Sequence, residues 1–204
     1  SNGVAGFILA NGALSADGTE GEIRRKMIER GLVEAIVILP RNLFYSTDIS
    51  VTLWILNANK KARIVHRNGE EIHYRDREKE ILFIDMRQMG EPFEKKYVRF
   101  TDEDICKVAD AYHNWQREGH TETYTDIPEF CKSVSVGEDG GIADKGFSLV
   151  PSKYIEFVNR DESVDYDIRM KELQLELADI LRQEAKSRES VLNVFKSLGY
   201  EIEL

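Results

Sequence analysis

Two apolar runs separated only by the short loop Arg41–Asp48 constrain this chain's fold more than any other feature. They are Val33–Pro40, VEAIVILP, and Ile49–Leu56, ISVTLWIL. The second is rich in the β-branched and aromatic residues that strands favour, among them Val51, Thr52, Trp54 and Ile55. A parallel pair needs a crossover of a dozen or more residues, so a loop this short predicts an antiparallel return of one strand beside the other. Upstream, Val4–Ala10 (VAGFILA), closed by Asn11-Gly12, reads as another buried strand. The stretch EGEIRRKMIERG predicts a helix capped by Ser15 or Thr19, with Ile23, Met27 and Ile28 on one face and Gly31 ending it. Strand, helix, strand in this order is the βαβ pattern of a parallel sheet covered by helices, so the fold class is α/β.

Downstream, Asn68-Gly69 marks a turn between IVHR and EIHYR, a hairpin insertion near 59–79, and EILFIDM reads as a buried strand. Thr101-Asp-Glu-Asp is a helix-capping signature, followed by Ile105, Val108, Ala109, Tyr112 and Trp115 at helical spacing. Residues 119–146 mix short helical hints with a flexible GEDGG turn, and GFSLVPSKYIEF reads as extended because Pro151 biases Val150 away from helix. From about Asp165 to Leu198 the chain becomes one long helix candidate free of Pro and Gly. Met170, Leu173, Leu177, Ile180 and Leu181 form one stripe on it; Val191, Leu192, Phe195 and Leu198 form another, with the polar RQEAKSRES between. That pattern predicts two docking patches on one helix, or a helical hairpin.

Charge divides the chain. Residues 1–100 carry 16 basic and 14 acidic side chains, and residues 101–204 carry 12 and 23. Affinity for phosphates comes from clustered Lys and Arg, so nucleic-acid contact is expected in the first half and protein contact in the acidic second half. Lys60, Lys61 and Arg63 form the candidate phosphate-contacting cluster, against the alternative of a solvated hairpin edge. Cys106 and Cys131 fit neither a disulfide framework nor a zinc site. No run of about 18 apolar residues suggests a membrane span. A soluble, cytoplasmic protein is expected. His66, His73, His113 and His120 show no ligand pattern and are expected at the surface, and no metal site is expected.

No Walker loop, H-E-x-x-H, nucleophile elbow or G-x-G-x-x-G follows a strand. The strongest candidate site is the loop PRNLFYSTD, because doubly wound folds place function outside their strand ends. Phe44 and Tyr45 offer it an aromatic face, although spacing alone favours Phe44 as a plug for the core beneath.

The order GVAGFILANGALS, IRRKMIERG, VEAIVILPRNLFYSTDISVTLWILNANKK and ILFIDMR, with the later KGFSLVPSKYI, resembles the modification subunit of type I restriction–modification systems, to about residue 157. The resemblance implies the C-terminal part of a Rossmann-like methyltransferase sheet in residues 1–157, followed by a helical tail for subunit assembly in 158–204. It implies transfer of a methyl group from S-adenosylmethionine to the exocyclic amine of a flipped adenine in DNA. Phe44 matches the aromatic residue that stacks on that adenine, with Tyr45 and Thr47 as lesser pocket-lining candidates. The implied partners are DNA and the specificity and restriction subunits, with the specificity subunit meeting Leu173, Leu177, Leu181, Val191, Phe195 and Leu198. Exposed sheet edges also invite a homodimer. The family's catalytic Asn-Pro-Pro-Phe and its glycine-rich cofactor turn are absent from this sequence. No catalytic residue is therefore assigned, and the chain alone is expected neither to hold the cofactor well nor to methylate. The competing reading is a non-enzymatic scaffold module whose acidic helix binds a protein.

Overall fold

The computed structural model describes residues 3–119, 123–137, 139–158 and 166–200. It divides into two compact units, Ser1–Val158 and Asn159–Leu204. The first is built on a five-stranded mixed sheet of β1 (Val4–Ala10), β2 (Val33–Ile38), β3 (Val51–Asn57), β6 (Glu80–Asp85) and β9 (Cys131–Ser135), in the order β1-β3-β2-β6-β9. β3 returns antiparallel to β2, in register from Ala35↔Ile55 to Ile38↔Thr52, as the short connection requires. β2 and β6 are parallel, and β9 is antiparallel to β6.

The βαβ expectation is met in direction and corrected in adjacency. β1 and β2 run the same way, joined through helix α1 (Gly18–Glu29), but β3 is inserted between them and pairs antiparallel with both. β1 thereby becomes an edge strand, and its side chains are largely exposed where a buried strand was expected. Its apolar run packs on one neighbour only, with Phe7 stacked on Trp54 at 6.2 Å.

Alternation along the central strands sorts two core layers. Ile36, Ile81 and Phe83 face α1 and the segment 142–155, packing with Leu14, Ile28, Leu149 and Ile155. Ala35, Val37, Leu82 and Ile84 face the other way, toward Trp115 of helix α2 (Asp102–Gln116) and Phe130. Continuous apolar sequence is what a strand covered on both faces needs.

Helix α1 buries Arg24 and Ile28, while Ile23 points to solvent, so the expected Ile23–Met27–Ile28 face is rotated. Arg24 reaches inward because its guanidinium donates to the carbonyls of Ala13, Ala16 and Phe147. Asp17 takes the N-cap position in place of Ser15 or Thr19, and Gly31 ends the helix at φ 65°. Helix α2 has the expected capping box between Thr101 and Asp104, although Ile105 is exposed.

The predicted hairpin forms as β4 (Arg63–Arg67) and β5 (Glu70–Tyr74), turning through Asn68 at φ 52° and Gly69 at φ 82°. A second hairpin, β7 (Glu91–Phe93) and β8 (Tyr97–Arg99), was not foreseen, nor was β9. Val150 is extended before Pro151 as predicted, but Pro151–Lys153 closes into a 3₁₀ turn. The second unit carries α3, Tyr166–Ser197, one continuous helix and not a hairpin.

Candidate nucleic-acid interface

Strands β1, β2 and β6 run in the same direction and end at the same edge of the sheet, where a cleft of about 740 Å³ opens. One wall is the Pro40–Ser50 loop, the other is the β7–β8 hairpin, and Asn11 and Ile38 contribute from the ends of β1 and β2. Crevices outside the carboxyl ends of parallel strands are where open α/β sheets bind ligands.

The loop is held at both ends. Leu39 N–H donates to Val51 O and Ser50 Oγ donates to Leu39 O, closing its base, while Thr47 N–H donates to Phe44 O within it. Asn42 sits at φ 59°, a left-handed conformation that Asn tolerates better than most residues. The two walls are joined: Val98 N–H donates to Asn42 O at 3.1 Å, Lys96 Nζ lies 3.0 Å from Asp48 Oδ1, and the Tyr45 and Tyr97 rings meet edge-on at 4.7 Å. Asp48 holds the Lys96 ammonium above its ordinary pKa by hydrogen bond and charge. Four cations, Arg41, Arg87, Lys95 and Lys96, line the cleft, and none of its lining residues is a carboxylate. Arg87 reaches Asp85 through Nε and Nη2, which raises the guanidinium's pKa. Gly90, at φ 94°, begins the hairpin where a Cβ would meet Val98 Cγ1 at 2.6 Å, so any larger residue displaces this wall.

None of the residues singled out from sequence lines this cleft directly; their loop neighbours Arg41, Asn42 and Ser50 do. Phe44 is half-buried, packed against the core layer of Val37 and Leu39. Tyr45 is 70% exposed and Thr47 is half-buried, its Oγ1 accepting from Ile49 N–H.

The basic cluster needs correction at Lys60. This residue is 2% exposed, and its ammonium donates to Val33 O and Glu80 O at the opposite end of the sheet, so it has no face to offer a phosphate. Burial lowers its pKa to about 8. Lys61 is exposed beside Glu78, and the Arg63 guanidinium donates to Asn59 O and lies over the Tyr74 ring.

Lys60 belongs to a buried polar network that sequence reasoning did not identify. Glu34, wholly buried in β2, accepts hydrogen bonds from Arg77 and Gln116 on Oε1 and from Asn57 and the Tyr112 hydroxyl on Oε2. A fully satisfied set of this kind ties α2 and the segments flanking the β4–β5 hairpin to the sheet.

His66, His73 and His113 are exposed as expected, with His73 between Glu71 and Glu118, while His120 lies outside the described residues. Among the described residues no cluster of His, Cys, Asp or Glu has metal-binding geometry, and no helix is long and apolar enough to cross a membrane. Leu173, Leu177, Leu181, Val191 and Phe195 on α3, and Leu198 just past its end, are all exposed.

A partly parallel sheet covered on both faces, with its cleft at the carboxyl ends of the strands, is the arrangement of an open, Rossmann-like α/β sheet. The methyltransferase subunit of the type I restriction–modification system of Streptococcus thermophilus has the same fold over 76% of this chain, with TM-score 0.58 and 26% identity. Residues 1–163 match the family model described as N-6 DNA methylase, and the chain belongs to that family. It is 32% identical over 199 residues to the type I restriction enzyme MjaIX methylase subunit of Methanocaldococcus jannaschii. It is 35% identical over 202 residues to the HindI methylase subunit of Haemophilus influenzae. Each match covers 98% of this chain but only 33% and 41% of those relatives, so the chain spans between a third and two-fifths of their length.

Proposed function

We propose that this chain is part of the modification subunit of a type I restriction–modification system, which methylates the exocyclic amine of adenine in DNA. The family match across residues 1–163 carries this reading and disfavours the scaffold alternative. In the whole subunit the Pro40–Ser50 loop holds the flipped base. Phe44 supplies the stacking face, and Tyr45 and Thr47 line the approach. Support comes from the position of that loop outside the carboxyl ends of β2 and β6 and from its attachment at both ends, since a base-flipping enzyme needs a fixed aromatic surface there.

The family implies S-adenosylmethionine as methyl donor, and the residues of this chain do not fit it. The cleft lining carries no carboxylate to take ribose hydroxyls, and among the described residues no G-x-G-x-x-G turn joins a strand to a helix at its edge. The donor's site is read as belonging to other parts of the subunit. The exposed apolar stripes of α3 are read as the surface that docks on the specificity subunit, with the restriction subunit joining the same cytoplasmic assembly. Lys61 and Arg63 meet DNA only where the duplex extends to the far end of the sheet.

The test is methyl transfer to DNA by the full-length subunit in its assembly. Phe44→Ala is expected to lower the rate about 5- to 150-fold, the equivalent of about 1–3 kcal/mol of base stacking, and Phe44→Tyr to restore it. Equal rates for wild type and Phe44→Ala, or no N6-methyladenine from the wild type, contradict the reading.

A further inference from the structure

The cleft between the two walls has a chemistry that base stacking does not use. The chain carries a net charge of −9, yet this concavity presents four cations and no lining carboxylate. Lys96 and Arg87 are paired with Asp48 and Asp85 at their backs. Among the described residues Lys95 makes no ion pair, and the Arg41 guanidinium has only the Asp48 carbonyl as a partner, at 3.3 Å. Lys95 and Lys96 stand at the exposed tip of the β7–β8 hairpin, beyond Glu94 in a left-handed turn at φ 54°. The wall is tied to the loop by the Val98–Asn42 hydrogen bond and the Tyr45–Tyr97 contact.

A second observation separates a nucleotide from a simple anion. Asn11 Oδ1, in the lining of the same cleft, is a buried acceptor with no hydrogen-bond partner. A buried polar atom left unpaired is costly, and a nucleotide base supplies the N–H donor that a simple anion lacks. A nucleotide satisfies both ends, offering phosphate oxygens to the cations and a base N–H to Asn11. The four cations are exposed at the rim, where a strand crossing the cleft reaches them.

We propose that the cleft is a clamp for the sugar–phosphate backbone of the DNA strand beside the target base, with Arg41, Lys95 and Lys96 on phosphates and Asn11 on a base edge. This rests on the reading of the chain as part of a DNA methyltransferase and adds the residues that position its substrate. Each phosphate contact contributes about 0.9 to the slope of log K against log salt on duplex DNA.

The experiment uses the full-length subunit and a fluorescein-labelled duplex containing the target site, with anisotropy read across a salt series. Lys95→Gln with Lys96→Gln is expected to reduce the magnitude of the slope by about 2 and to weaken binding at least about tenfold at moderate salt. Lys95→Arg with Lys96→Arg is expected to restore both, and affinity for S-adenosylmethionine to stay unchanged. An unaltered slope overturns the clamp, as does a loss of S-adenosylmethionine affinity with DNA binding intact. Because the slope comes from binding alone, it is separable from the methylation reading, which fails if the wild type forms no N6-methyladenine.

Discussion

At the scale of single residues, Glu34 decides how one end of the sheet is built. A carboxylate with no solvent exposure is tolerable only when cations and donors surround it, and Arg77, Gln116, Asn57 and Tyr112 do so. Lys60 lies in the same cluster, and burial there opposes its charged form, lowering its pKa to about 8 against an ordinary 10.5. Between those values the unfolded chain binds a proton that the folded chain does not, so stability from this residue rises with pH across that window. Below about pH 8 the full penalty of keeping the ammonium charged is present. From pH 7 to 9.5 the wild type is expected to gain about 2 kcal/mol more unfolding free energy than Lys60→Met, measured by urea denaturation at each pH. Parallel curves for the two proteins contradict this. The inward course of Lys60 was hidden because Lys60-Lys61-Ala-Arg63 reads as a surface cluster when only charge is counted. The available signal was Glu34 itself, a carboxylate inside the otherwise apolar VEAIVILP, which requires a cation to come to it.

At the scale of elements, legibility followed local chemistry. The β4–β5 turn was legible because Asn68-Gly69 supplies two left-handed residues in succession, and α2 because Thr101 and Asp104 form a capping box. The β7–β8 hairpin was not, since strands of three residues containing Pro92 carry no periodicity, and its register is set instead by Gly90 and by contacts with the Pro40–Ser50 loop. β9 was missed because CKSVS is short and mostly polar, and is recruited by pairing with β6. Helix α3 was legible as an element, and its use is the proposed docking. Met170, Leu173, Leu177 and Ile180, then Val191, Val194 and Leu198, recur at alternating three- and four-residue spacing, and Glu184 and Ser187 interrupt the seam. Leu177→Asp with Phe195→Asp is expected to abolish assembly of the full-length subunit with its specificity subunit in size-exclusion chromatography while leaving its melting transition in place. Co-elution of the double variant rules out docking through this helix.

At the scale of the whole molecule, the sequence made the α/β class and the antiparallel β2–β3 return legible, because both follow from run length and loop length. It did not reveal that β3 separates β1 from β2, since pairing order between strands is settled by packing that no single run encodes. The candidate site was legible as a loop, and the cleft beside it was not, because its second wall comes from a hairpin about fifty residues later that only the fold brings near. The charge division also took a different form in space. Four cations, Arg41, Arg87, Lys95 and Lys96, gather at the carboxyl edge of the sheet, at the opposite end from Lys60. The central claim is that the Pro40–Ser50 loop captures an unstacked adenine through Phe44. Flipping costs less from a mismatch than from a Watson–Crick pair, so a defect in capture shrinks when the target adenine is mismatched. The most direct measurement is therefore the ratio of wild-type to Phe44→Ala methyl-transfer rates in the full-length assembly on paired and on mismatched duplexes. The ratio is expected to fall several-fold on the mismatched duplex, and the same ratio on both substrates would contradict base capture by Phe44.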